Sequence, residues 1–142
     1  MRKRERKKNK IMKILLDGMG GDHAPDAIVE GAVNAAKEIK DEIVLIGEQD
    51  VLAKSIKKCG YSGNRISTVN ASEVISNEES PVRAIRRKKD STTVVGMEML
   101  KNGQGDVFIS AGSTGALLAG SLLLLGRIEG IDRPAIGTVY PV

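Results

Sequence analysis

The 142-residue chain has one cysteine, one histidine, three aromatic side chains and no tryptophan. A single thiol, Cys59, excludes an internal disulfide and a cysteine-built zinc site, which fits a reducing compartment. It closes a predicted helix beside Gly60 with no base at a recognisable spacing, so a half-buried small hydrophobe is a plainer reading than a nucleophile. With so few aromatic rings, base stacking has little to work with, and no nucleic-acid partner is expected. The most apolar stretch, Ala116 to Leu125, is ten residues long, about half of what a bilayer crossing requires, and reads as a buried core helix. Too few apolar residues lie between the basic start and Asp17 for a secretory signal, and no small-residue cleavage site follows them. A cytoplasmic location is therefore expected, where the sequon Asn70-Ala71-Ser72 would never meet its modifying enzyme.

Excess positive charge is also missing from most of the chain. The formal charge is +4, yet residues 1–10 hold seven of the 22 Lys and Arg and one of the 18 acids, leaving 15 cations against 17 acids, a net −2. Residues 1–11 thus read as a basic leader, expected to be solvated and disordered, and Met12 opens a second plausible start. Any contact of this arm with a polyanion would rest on charge alone and fade in moderate salt.

From there the pattern alternates. Apolar runs at Ile11–Leu16, Ile43–Ile46, Arg65–Val69 and Val107–Ser110 read as strands. Between them Asp26–Ile39, Val51–Lys58, Pro81–Arg87 and Ser91–Asn102 read as helices, with Ser80 and Ser91 as N-caps and Gly60 and Gly103 as stops. Ile28, Ala32, Ala35 or Ala36, and Ile39 give the first helix one apolar face. Ala116–Leu125 follows as a helix and Ala135–Val139 as a fifth strand, and the end at Tyr140-Pro141-Val142, with no closing helix, reads as a cut. Strands alternating with helices imply right-handed parallel crossovers, hence a three-layer α/β/α sandwich with a mainly parallel sheet.

Two glycine-rich turns fall at strand ends, where open α/β sheets bind ligands. The first is Gly18-Met19-Gly20-Gly21-Asp22-His23-Ala24-Pro25; the second, Ala111-Gly112-Ser113-Thr114-Gly115, opens directly into a helix. Free backbone amides at such turns suit a phosphate or an oxyanion, and two turns could hold one ligand between them. The alternative is that the glycines serve only tight turns. Neither turn is a dinucleotide fingerprint or a Walker A loop. His23, beside Asp22, is a loop hydrogen-bonding residue or a proton donor. Arg86-Arg87-Lys88-Lys89, followed by Asp90-Ser91-Thr92, is a solvated, dipole-stabilised helix end or a surface for phosphate or an acidic carrier protein.

Four blocks in order resemble the bacterial acyl-[acyl-carrier-protein]:phosphate acyltransferase (PlsX) family. They are the first turn with Lys13 to Asp17 before it, Arg86 to Ser91, Ser110 to Ala116, and Gly126-Arg127-Ile128-Glu129-Gly130-Ile131-Asp132-Arg133-Pro134-Ala135. The likeness runs over residues 12–142, departing at Gly18, where alanine is commoner, and in length, since the family continues well beyond Val142. It implies an N-terminal portion of an isocitrate/isopropylmalate dehydrogenase-like α/β domain in a homodimeric enzyme that needs no cofactor or metal. That enzyme transfers a fatty acyl group from acyl carrier protein to inorganic phosphate for phospholipid synthesis. The resemblance further implies His23 and Lys89 as catalytic, and Gly20, Gly21, Asp22, Lys88, Ser91, Gly112, Ser113, Thr114 and Gly115 as substrate-binding. Contact with the inner face of the membrane, or with a downstream membrane acyltransferase, would follow from the product's fate. The rival readings are a non-catalytic phosphate- or nucleotide-binding module and a dinucleotide-dependent dehydrogenase, the latter supported by fold analogy alone.

Overall fold

A computed structural model describes residues 10–137. The basic leader up to residue 9 and the end of the expected fifth strand lie outside the described residues. Strands β1 (Lys13–Asp17), β2 (Glu42–Gly47), β3 (Ile66–Asn70) and β4 (Val107–Ile109) form one sheet in the order β3-β2-β1-β4, with every neighbour parallel. Successive side chains of each strand face opposite layers. Leu16, Ile43 and Leu45 therefore meet helices α1 (Asp26–Glu38) and α2 (Gln49–Lys58). Leu15, Val44 and Ile46 face the other way, toward Val95, Met99 and Leu100 of α4 (Thr92–Lys101) and toward Phe108. Burial on both faces explains why β2 is apolar almost throughout. The result is the expected three-layer α/β/α arrangement.

In α1 the buried residues are Val29, Ala32, Val33 and Ala36, at i, i+3, i+4 and i+7, while Ile28, Ala35 and Ile39 flank them half-buried. The stripe is thus centred one residue from where the isoleucines alone place it. Arg65 closes this helix by donating from Nη1 to the carbonyls of Ala36 (3.1 Å) and Ile39 (2.8 Å). Asp26 ties α1 to α2, accepting from the Ser55 hydroxyl (2.9 Å) and pairing with Lys58 (3.0 Å). At the amino ends of the strands Lys10 pairs with Asp106 (2.6 Å).

Helix α3 (Pro81–Arg87) and α5 (Thr114–Gly120) make a second small core with α4, in which Ile75, Ala84, Ile85, Val94 and Ala116 are buried. Two expectations fail here. The Ala116–Leu125 helix begins earlier, because Ser113 caps it at Thr114, and it loosens into a π-helical turn over Ser121–Leu125. Nor is it buried all round. Ala116 and Gly120 pack inward, with Gly120 against Met97, whereas Leu118, Leu122, Leu123 and Leu125 are 37–42% exposed because no described element covers them. Ala135–Gly137, the described part of the expected fifth strand, pairs with no strand, since the sheet edge at β4 has no further neighbour among the described residues.

Candidate functional site

Strand order decides where a ligand can sit. The chain runs outward from β1 through β2 to β3 on one side, then returns to place β4 on β1's other edge. The crevice at the carboxyl ends of β1 and β4 is therefore the switch point of the sheet, the usual ligand position in this architecture. Both glycine turns lead out of those two strands.

Asp17 holds the turns together. It ends β1 on the layer facing α4 and is 2% exposed. One carboxylate oxygen accepts from the Met19 amide (3.1 Å) and the other from the Ser110 hydroxyl (2.7 Å), while Ser110 Oγ accepts from the Gly112 amide (3.0 Å). A single buried carboxylate thus organises the first turn directly and the second through one hydroxyl. Gly18 extends the sheet by donating to the Ile46 carbonyl (2.9 Å). Glycine is required where the turns touch. A Cβ on Gly20 would lie 2.5 Å from Asp17 Oδ2 and 2.9 Å from Ser110 Oγ, and one on Gly112 would lie 3.3 Å from the Gly20 Cα. Gly21 sits at φ +108°, in the left-handed region, against Ala111.

A cleft of about 290 Å³ opens above this contact, lined by Gly20, Gly21, Asp22, Gly112 and Ser113, with Val74 to Glu78 as the facing wall. Ser113 Oγ accepts from the Ala116 amide (3.3 Å), leaving the Thr114 and Gly115 amides of the first helical turn without an acceptor in the helix. Gly115 is also the place where α3 abuts α5, for an added Cβ would meet Pro81 Cγ at 2.8 Å. Chemically the cleft offers main-chain donors to an oxyanion. Its charged side chains among the described residues are the acids Asp22 and Glu78.

The remaining sequence candidates sit elsewhere. His23 is exposed and lines a shallow depression between α1 and α2, with Asp26, Val51 and Lys54. Lys88 is drawn beneath the facing wall, where Nζ donates to the Val74 carbonyl (2.7 Å) and pairs with Glu79 (2.8 Å). That ammonium, with the Ser76 amide, holds the Glu79 carboxyl below its ordinary pKa. Lys89 is exposed and reaches back to the Ile85 carbonyl (3.4 Å). Ser91 is fully buried as the N-cap of α4, its hydroxyl donating to the Lys88 carbonyl (2.8 Å) and accepting from the Val94 amide (3.4 Å). The structure therefore brings Gly20, Gly21, Asp22, Gly112 and Ser113 together with Thr114 and Gly115 beside them, and leaves His23, Lys88, Lys89 and Ser91 outside the lining. Sequence reasoning missed Asp17 and Ser110. The available signal was an acid closing an apolar strand directly before glycines, matched by a hydroxyl closing another.

Among the described residues no group of three or more His, Cys, Asp or Glu is placed to hold a metal ion. No helix among them is long and apolar enough to cross a membrane.

Fold and site together define an open parallel α/β protein with a candidate ligand cleft at its switch point. The chain belongs to the fatty acid synthesis protein family, whose model matches residues 12–142. It is 54% identical over 130 residues to the phosphate acyltransferase of Alkaliphilus oremlandii, covering 92% of this chain and 39% of that protein. The phosphate acyltransferases of Clostridioides difficile and Thermoanaerobacter pseudethanolicus are 50% and 53% identical to it, again with 92% of this chain and 38% of each relative covered. The chain thus spans about two-fifths of the length of these curated relatives.

Proposed function

We propose that this chain is the amino-terminal part of a phosphate acyltransferase that moves a fatty acyl group from an acyl-carrier-protein thioester to inorganic phosphate, giving acyl phosphate for phospholipid synthesis. The observation that supports this most is the backbone-to-backbone packing of two glycine turns at the switch point, in a chain of this family. A phosphate oxygen attacks the thioester carbonyl carbon; the C–O bond forms, the C–S bond breaks, and the departing thiolate takes up a proton. Phosphate is already nucleophilic, so the demands are positioning and stabilisation of the tetrahedral oxyanion. The amides of Gly20, Gly21, Thr114 and Gly115 are the groups suited to that task.

Neither His23 nor Lys89 is assigned a step, because neither lines the cleft. With Asp22 and Glu78 there and Lys88 engaged by Glu79, the hold on phosphate proposed for this cleft rests on the main-chain amides. The complete enzyme is proposed to act in the cytoplasm as a homodimer and to release its product to an acyltransferase at the membrane.

Incubating the complete polypeptide with long-chain acyl carrier protein and phosphate should release the carrier thiol and yield a hydroxylamine-trappable acyl phosphate, both dependent on phosphate. Absence of thiol release above background would reject the reading. The 142-residue chain alone is expected to show little or no turnover.

A further inference from the structure

Helix α3 separates its residues sharply. Ala84 and Ile85 are buried against the second core, while Val82, Arg83, Arg86 and Arg87 are exposed on the other side. Residues three and four apart on a helix are neighbours, so the three guanidinium groups share one face, extended by exposed Lys89 just past the helix end. The ion pairs among the described residues join Lys10, Lys13, Lys58 and Lys88 to acids, and none takes Arg83, Arg86, Arg87 or Lys89.

The helix dipole accounts for only part of this. Arg86 and Arg87 lie in the last turn, where a cation is favoured, but Arg83 is the third residue of α3, where a cation opposes the dipole, and the first turn holds no acid. Arg83 also repels its like-charged neighbours. Nearby acids are occupied: Glu79 by Lys88, and Asp90 by the Ser72 hydroxyl and amide, which hold its carboxyl below the ordinary range. Glu73, on the wall of the same 410 Å³ depression that Arg83 and Arg87 line, accepts from the Asp90 amide (3.4 Å). A cluster of cations that take part in no ion pair among the described residues, on a body of otherwise net negative charge, is complementary to an acidic partner.

Position supplies the second half of the argument. The first residue of α3, Pro81, packs on Gly115 at the rim of the cleft, and seven helical residues span about 10 Å. A partner lying along this face therefore has the cleft within reach of a tethered group.

We infer that the exposed Arg83–Arg86–Arg87 face of α3 is the docking surface for an acidic protein surface, that of the carrier bearing the acyl thioester. This rests on the acyl-transfer reading above. Binding is read by fluorescence anisotropy of labelled acyl carrier protein titrated with the 142-residue chain. Saturable binding is expected, weakening about tenfold or more between low and moderate salt, and again by about tenfold or more in the double variant Arg83→Glu/Arg87→Glu. Arg83→Lys/Arg87→Lys should retain binding, as should Lys37→Glu/Lys57→Glu, the same charge change on α1 and α2. Circular dichroism of each variant reports folding.

In the complete polypeptide the same reversal should raise KM for the carrier thioester while leaving turnover of a small soluble acyl thioester unchanged. Activity with an unmoved carrier KM would overturn the docking surface and spare the acyl-transfer reading; absence of activity toward any thioester would overturn that reading itself. Equal affinity for polyglutamate or for anionic lipid vesicles would also overturn the assignment, since the face would then be a general polyanion site.

Discussion

Replacing Gly20 by alanine tests how the two turns are joined. The new methyl would sit 2.5 Å from Asp17 Oδ2, 2.8 Å from Asp17 Cγ and 2.9 Å from Ser110 Oγ. None of these atoms is the free end of a long side chain. Asp17 is buried and fixed by the Met19 amide and the Ser110 hydroxyl, and Ser110 is fixed in turn by Gly112. Making room means breaking the Ser110–Asp17 bond or displacing a turn. Loss of a hydrogen bond to a buried carboxylate costs about 2 kcal/mol, and overpacking adds about 1 kcal/mol or more. A total of about 3 kcal/mol corresponds to a fall in Tm of about 10 °C for a chain of this size. Gly31→Ala is the matched control: it lies exposed inside α1 with nothing within 4 Å of the added carbon, so alanine's better helix propensity should stabilise by up to about 1 kcal/mol. Both are read by urea and thermal denaturation followed by circular dichroism. A Tm for Gly20→Ala that is unchanged, or raised as in the control, would refute the packing of the turns on Asp17.

Thr92 is fully buried and its hydroxyl has no partner among the described residues, so Thr92→Val should leave stability unchanged or raise it by about 1 kcal/mol in urea denaturation; a clear loss would show that the hydroxyl is in use. Glu79, Asp26, Asp90 and Asp106 are all held below their ordinary values of 4.5 for Glu and 3.8 for Asp, Glu79 chiefly by Lys88, Asp26 by Lys58, Asp90 by Ser72 and Asp106 by Lys10. Each binds its proton less readily folded than unfolded, so its contribution is complete above the ordinary value and is lost as pH falls through the folded value. The urea midpoint should therefore fall on acidification from about pH 5 toward pH 3, and less steeply in Glu79→Gln. Because His23 lines the α1/α2 depression and not the cleft, His23→Ala in the complete enzyme should stay within about threefold of wild type, where loss of a general acid would cost about a hundredfold or more.

Periodicity and punctuation made the layers legible. Short apolar strands between capped, glycine-stopped segments marked a parallel crossover fold, and placing glycine turns after β1 and β4 put the site on one sheet rim. Strand order was not legible, because pairing is set by non-local packing; only β4 on the free edge of β1 turns two separate glycine motifs into one cleft. The side-chain assignments fared differently for a local reason. Lys88 and Ser91 stand in a block that suggests a phosphate site, but the competing claims on them, a carboxylate nine residues before Lys88 and the α4 amino end at Ser91, cannot be weighed against a ligand from sequence. In the fold Glu79 takes the Lys88 ammonium and the α4 amino end takes the Ser91 hydroxyl. The apolar run from Ala116 read as core because hydropathy reports preference for burial and not the presence of a covering element.

The central claim is that the amides of both turns meet one anion. Two-dimensional ¹⁵N–¹H NMR of the 142-residue chain, titrated with inorganic phosphate at low ionic strength, tests it most directly. The account predicts that the Gly20, Gly21, Thr114 and Gly115 resonances shift together along one saturating curve. Shifts confined to one turn, or to Arg83–Lys89 with both turns silent, would contradict it.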